Sequence, residues 1–359
     1  MTGFDSLYGQ AALKARLGRA LVELPGHAFV FIGPEGIGKK SFAREFARAL
    51  LCDNPNNNGG CGICPSCHYF VLGSHPDYKE LLLKEKEKTI KTDVIRKQVC
   101  GDVTMLPQIS KRKVYFIDAD DINEQGQNTL LKTLEEPPEY AVIILAISAS
   151  QHLLPTILSR VVHVPFHRNT TSEVEQILKI HDSERNMVTI GKSGDKDKDK
   201  QKVNVTDKEI PFHFLAKFSD GIPGIALHFM ESELFSQQRE EVIKKMTMLP
   251  FATRSDLLIE YFSFFDTNKS QVDDILGIMS TWIRDMLIYH TCKDPAELIN
   301  EDKQTEIVNC CPKGKNTVEA LSNADRIVNS ARRGIALNSS FENCICNMLL
   351  QLRKELKNA

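Results

Sequence analysis

The chain reads Gly33-Pro34-Glu35-Gly36-Ile37-Gly38-Lys39-Lys40-Ser41, and residues of these types at this spacing suit the holding of phosphate. Glycines at 33, 36 and 38 let backbone N–H groups turn toward an anion, Lys39 neutralises it, and the next position ordinarily offers a Ser or Thr hydroxyl to Mg²⁺. Here that position is Lys40, which cannot ligate a metal as an ammonium. Two readings of a nucleotide site follow: one that has lost its metal ligand, or one in which Ser41 supplies the hydroxyl. The plain alternative is a glycine-rich turn between strand and helix that binds nothing.

A second chemistry-bearing group is Cys52-x8-Cys61-x2-Cys64-x2-Cys67, with an Asn, Pro and Gly loop from Asn54 to Gly60 between its first two members. Four thiolates at this density suit a closed tetrahedral structural Zn²⁺ site. An iron–sulfur cluster takes the same ligands, and a redox pair is a weaker rival. His68 adjoins the last cysteine and reads as a neighbour. Of the ten cysteines, Cys100, Cys292, Cys310, Cys311, Cys344 and Cys346 are scattered and read as small apolar residues.

Carboxylates and one guanidinium complete the inventory. Asp118, Asp120 and Asp121 close an apolar run, Val114 to Ile117, where a phosphate-loop ATPase keeps the acid that orders its metal, on a strand expected beside the loop's own strand. Many such enzymes place Glu directly after that acid; this chain has Ala119. Helix-capping carboxylates at a strand-end turn are the bland alternative. Arg160 ends Thr156-Ile157-Leu158-Ser159-Arg160, and a lone Arg there reads first as a surface ion-pair residue.

These groups need a scaffold, and hydrophobic periodicity supplies one. Residues 10 to 23 have helical spacing, His27 to Ile32 is a buried strand, and Phe42, Phe46, Ala47 and Leu50 recur as on a helix. Strand, loop and helix thus follow in the order a phosphate loop requires. Further strands are expected at Tyr78 to Leu83, Val114 to Ile117, Ala141 to Ile147 and Val161 to Val164, with helices near Asp93 to Gly101, Glu124 to Glu136 and Leu153 to Arg160. Lys84 to Lys88 reads as a solvated loop. The fold class is α/β with a parallel sheet, followed by helices. From about Asn169 the pattern is helical, interrupted by an alternating Asp/Lys insert near 191–202 that cannot bury a core, and by the break Gly221-Ile222-Pro223-Gly224. Stretches such as Val272 to Tyr289 and Ser340 to Leu356 make the last third an all-helical domain.

Composition narrows the role. A net charge of −2 argues against a chain that coats nucleic acid by itself, so DNA contact would be shared with partners. No apolar run reaches the length that spans a bilayer, and the segment Met1 to Gly9 lacks the pattern of a signal peptide, so no membrane partner and a cytoplasmic location are expected.

Taken together, four stretches resemble the clamp-loader branch of the AAA+ proteins: Gly33 to Ser41, the cysteine insert, Asn128 to Pro138 (Asn-Thr-Leu-Leu-Lys-Thr-Leu-Glu-Glu-Pro-Pro) and Thr156 to Arg160. The last is similar to the family's Ser-Arg-Cys motif, with Val161 in the Cys position. The resemblance is good over 1–166 and rests on helical character beyond. It implies an AAA+ module over 1–166 with a zinc insert at 52–67, a small helical lid over 167–232, and a collar over 233–359 that joins a pentameric ring. It implies gamma or tau motor subunits, a delta subunit, a sliding clamp and primer-template DNA as partners. It also implies that Arg160 serves in trans as an arginine finger in a partner's ATP site. Lys40, Ala119 and Gly224, the last at the place of a motor's sensor Arg, point to a stator doubtful in its own binding of ATP and Mg²⁺; the alternative is a gamma/tau-type motor or another AAA+ ATPase.

Overall fold

A computed structural model describes residues 3–23, 26–83, 87, 89–191, 210–232, 234–312, 314 and 316–358. The repetitive part of the charged insert, 194–200, lies outside the described residues, as do all of 84–88 except Glu87. The chain divides into two compact units, residues 1–191 with 219–227, and 192–218 with 228–359.

The first unit is a parallel sheet with helices on both faces. In chain order it comprises α1 (Ala11–Glu23), β1 (Ala28–Ile32), α2 (Lys39–Leu51), α3 (Pro65–Val71), β2 (Tyr78–Leu81), α4 (Thr92–Ile95, widening into a π-turn over Arg96–Gly101), β3 (Lys113–Asp118), α5 (Glu124–Glu135), β4 (Ala141–Ile147), α6 (Pro155–Leu158), β5 (Val162–Pro165) and α7 (Thr171–Gly191). The strand order is β2-β3-β4-β1-β5, all parallel. Every residue of β3 and β4 is buried, because helices cover both sides.

Alternation along the strands divides the core in two. Phe29, Phe31, Val114, Phe116, Val142 and Ile144 face one side and pack with Leu17 of α1 and Phe42 and Phe46 of α2. Ala28, Val30, Tyr115, Ile117, Ile143 and Leu145 face the other and meet Ile95, Val99, Leu130, Leu134 and Ile157. The period of two thus turns one apolar run into two half-cores.

Two expectations need correction. The strand bearing Asp118 is not beside the loop's strand: β4 intervenes, pairing with β1 on one edge and β3 on the other. Apolar runs identify strands but carry no information on their lateral order. The strand at Tyr78 ends at Leu81, not Leu83, because its pairing with β3 stops at Leu81↔Ile117. Helix α3 was not foreseen; Cys64 caps it by accepting the Cys67 N–H, and Pro65 starts it.

The second unit is helical. Within it are α8 (Phe212–Phe218), the later part of α9 (Pro223–Glu231), and longer helices Phe235–Met248, Val272–Cys292, Thr317–Ala336 and Phe341–Asn358. Helix Val272–Cys292 packs against both Phe235–Met248 and Thr317–Ala336, burying Trp282 completely. Asp285 on it is fully buried, yet its carboxylate accepts the backbone N–H groups of Ile299 and Asn300. Such satisfaction lets a charge sit inside a bundle.

Candidate functional site

The phosphate loop is built as its glycines dictate. Gly36 and Gly38 have φ of 79° and 103°, conformations that side-chain-bearing residues resist. Gly38 is the residue that starts α2, so the helix N-terminus faces the loop. Lys39 is 8% exposed and turns back on that loop, its Nζ donating to Gly33 O at 2.5 Å and to Pro34 O at 3.2 Å. Burial lowers its pKa, opposed by the charges of Asp120, Asp118 and Glu35.

At the next position Lys40 reaches across the carboxyl ends of the strands, its Nζ 2.9 Å from Asp118 Oδ2. Ser41 is exposed on α2, and Lys40 is the residue that meets the carboxylate. On the loop's outer side Gly224, at the start of α9, donates its N–H to Gly36 O at 2.9 Å. A Cβ on Gly224 would lie 2.6 Å from Gly36 Cα, so only glycine permits this approach.

Two residues that the sequence did not single out complete this edge. Ser148, just past β4, donates to Asp120 Oδ1 at 3.0 Å, and His152 Nδ1 lies 2.5 Å from the same oxygen. Burial raises Asp120, but the Ser148 N–H and hydroxyl and the His152 ring outweigh it and hold the carboxyl below its usual value. A polar residue directly after an all-apolar strand was the available signal for Ser148. Asp121 is pushed up by burial and by neighbouring Asp118.

Arg160 lies at the other end of the sheet. Val162 is paired with Phe29 and Pro165 with Ile32, so Arg160 precedes the paired stretch while Gly33 follows it. At about 3.3 Å per residue the two are separated by roughly 20 Å along the strand direction. The guanidinium donates to Thr156 O at 2.6 Å and lies 3.0 Å from Glu135 Oε1.

The cysteines converge. The Sγ atoms of Cys52, Cys61, Cys64 and Cys67 all lie within 4.8 Å of one another, with Cys52 and Cys64 at 3.8 Å. Ligands about 2.3 Å from a tetrahedral centre would be about 3.8 Å apart, so the set can hold a metal ion. Backbone N–H groups donate to the sulfurs, from Cys61 to Cys52, Cys64 to Cys61 and Cys67 to Cys64. The Ile63 N–H heads the groups that bring the half-buried Cys61 thiol down to about 7, whereas burial pushes Cys52 and Cys67 up. A buried network anchors the insert: Ser66 and Ser110 both donate to Leu51 O, and both hydroxyls meet His75 Nε2.

Comparison with known proteins fits both units. Residues 12–170 match the family described as DNA polymerase III, delta subunit, and residues 233–336 match DNA polymerase III, delta subunit, C terminal. The DNA polymerase III subunit delta' of Pseudomonas aeruginosa is 41% identical over 154 residues, covering 43% of this chain and 46% of that protein. DNA polymerase III subunit tau of Bacillus subtilis is 35% identical over 191 residues, 52% of this chain and 33% of its own. The tau subunit of Escherichia coli is 36% identical over 152 residues, 42% of this chain and 23% of its own. The chain thus spans less than half the length of each of these relatives. The described residues include no helix long and apolar enough to cross a membrane. With delta-subunit models matching both the sheet-bearing unit and the C-terminal helices, the chain belongs to the delta-prime family of DNA polymerase III subunits.

Proposed function

We propose that the chain is a largely non-hydrolysing stator of the clamp loader, which helps place a sliding clamp on primed DNA and supplies Arg160 to the ATP site of a neighbouring gamma or tau subunit. The observation that carries this reading is the position of Arg160 at the sheet edge remote from its own phosphate loop. A guanidinium there cannot serve Gly33 to Ser41 of the same chain, but it can serve a loop brought up by a neighbour. In that site it would neutralise charge building on the transferred phosphoryl group, a role worth roughly 10³-fold or more in rate. Residues 1–166, 167–232 and 233–359 would act as AAA+ module, lid and collar, and the delta subunit, clamp and primer-template would be met within the assembly. The chain itself would have no ATPase of its own while forming part of the polymerase holoenzyme, in the cytoplasm.

The cysteine cluster we assign to a structural Zn²⁺ held by Cys52, Cys61, Cys64 and Cys67, since a closed set of four sulfurs leaves no open position for chemistry. The tau relatives favour a second reading, an ATP-hydrolysing motor, because they match the same module. Against it stand Lys40 at the metal-ligand position and Ala119 at that of the water-orienting Glu.

The test is reconstitution with gamma or tau and delta subunits. An Arg160→Ala chain should assemble while the ATPase of the complex, stimulated by clamp and primed DNA, falls by a large factor. An intact complex with unchanged ATPase removes the finger role. Turnover by the isolated chain, abolished by Lys39→Ala, decides for the motor.

A further inference from the structure

Phosphate loops of this fold hold nucleotide together with Mg²⁺, and the residues present do not fit that ion. Mg²⁺ needs oxygen ligands at about 2.0–2.1 Å in near-octahedral geometry. The side chain at the first ligand position is an ammonium, and the carboxylate that would help hold the ion already accepts that ammonium at 2.9 Å. Asp118 keeps only 13% of its side-chain surface exposed, whereas Lys40 keeps 53%. The pair therefore screens an enclosed carboxylate with a cation that reaches in from solvent.

The surroundings show why a cation is needed there. Asp118, Asp120 and Asp121 crowd the end of β3. His152 and Ser148 take Asp120, and Lys39 is spent on the carbonyls of Gly33 and Pro34. That leaves Lys40 as the cation on Asp118. The loop apex is engaged as well, since Gly36 O accepts from Gly224 N–H. Two positions that look like losses in the sequence, 40 and 224, are filled by internal contacts.

We propose that Lys40 is a built-in replacement for the divalent cation, whose tethered ammonium neutralises Asp118 and sets the phosphate loop without metal or nucleotide. The inference deepens the reading of the chain as a non-hydrolysing subunit and rests on it. It makes the structure of the loop indifferent to Mg²⁺, and it makes Lys40 the residue that decides this.

The experiment uses the full chain as wild type, Lys40→Thr, Lys40→Met, Asp118→Asn and the Lys40→Met/Asp118→Asn double variant, melted in Mg²⁺-free buffer without chelator, which leaves the zinc of the cysteine cluster in place, and in millimolar MgCl₂. Wild type should melt at one temperature in both. Lys40→Met should lower the melting of the sheet-bearing unit by about 2–4 °C, and most of that loss should vanish in the Asp118→Asn background. Lys40→Thr should lose as much in the Mg²⁺-free buffer and regain it with Mg²⁺. Equal losses from Lys40→Met in both backgrounds, or a Mg²⁺ shift in wild type, would overturn the proposal. If the Lys40 variants do not fold, wild type decides: a fluorescent ATP analogue that binds in Mg²⁺ and is lost in Mg²⁺-free buffer without chelator overturns it, and binding unaffected or absent in both supports it. Absence of Lys40–Asp118 coupling in a chain that does not turn over ATP removes this inference alone. Mg²⁺-dependent turnover by wild type removes the non-hydrolysing reading with it.

Discussion

Arg160 rests its guanidinium on Glu135, 3.0 Å away, where the end of α5 meets the amino edge of the sheet. Both side chains are substantially exposed, at 37% and 49%, so the pair is cheap to open. Exposed pairs of this kind contribute at most about 1 kcal/mol. In the proposed finger role, a developing phosphoryl charge in a drier partner site would compete with that easily. Glu135 can therefore hold the guanidinium and still release it.

Glu135→Gln is expected to change the melting of the isolated chain little, by less than about 1 kcal/mol, because the Arg160 contact with Thr156 O remains. Calorimetry checks this. A much larger loss would show that the pair is structural rather than a resting place.

The cysteine cluster should bring one zinc per chain in elemental analysis, and Cys64→Ser should lose it together with thermal stability. Its pH dependence has a definite sign. Burial raises Cys52 and Cys67 above the ordinary 9.0, so in the neutral range each must release a proton to bind metal. Zinc affinity should therefore rise with pH, by roughly a hundredfold per unit from these two thiols; competition with a chelator dye between pH 6 and 8 measures it. Without metal the sign reverses, since a raised thiol stabilises the fold below its unfolded value and loses that contribution as pH rises through the folded one.

Asp77 is 1% exposed and accepts three backbone N–H groups, from Gln108, Ile109 and Ser110, at 2.7–2.8 Å. Asp77→Ala leaves those donors without an acceptor and should cost about 3 kcal/mol or more in urea unfolding; Asp77→Asn, which keeps one acceptor, should cost less. Its neighbour His75 is held below 6.5 by burial, and its Nδ1 accepts the Asp77 N–H. A depressed histidine contributes stability that is complete above 6.5 and is lost as pH falls toward the folded value. Stability of this unit should therefore decline below about pH 6.5, less steeply in His75→Gln.

Gly224→Ala should cost about 1–3 kcal/mol, because its Cβ would press on Gly36. Gly224→Arg, which supplies the sensor Arg that the family resemblance expects of a motor, should cost at least as much and confer no ATPase, since Lys40 and Ala119 are untouched. A chain that gains turnover from this change alone would contradict that account.

Much of this was legible in the residues. Phe42, Phe46 and Leu50 announce α2 through spacing alone, the run at Ala141–Ile147 matches β4 residue for residue, and the four cysteines reveal themselves by density. Periodicity and local spacing are properties of neighbours along the chain, so they survive without a structure. Short elements that lean on distant partners did not show: α3 depends on the Cys64 cap, and Ser148 has meaning only beside Asp120 and His152.

The sequence by itself determined that a glycine loop joins a strand to a helix, that Lys40 stands where a hydroxyl is expected, and that a cluster of thiols follows. Tertiary structure alone decided what those residues do to one another. Strand order is a matter of lateral pairing, which no local pattern encodes, and it put β4 between the loop and Asp118. The reach of one ammonium across that edge closed the gap, so that the residue that reads as a missing ligand is a cation already in contact with its carboxylate. Parallel register did the rest, placing Arg160 and Gly33 at opposite ends of adjacent strands.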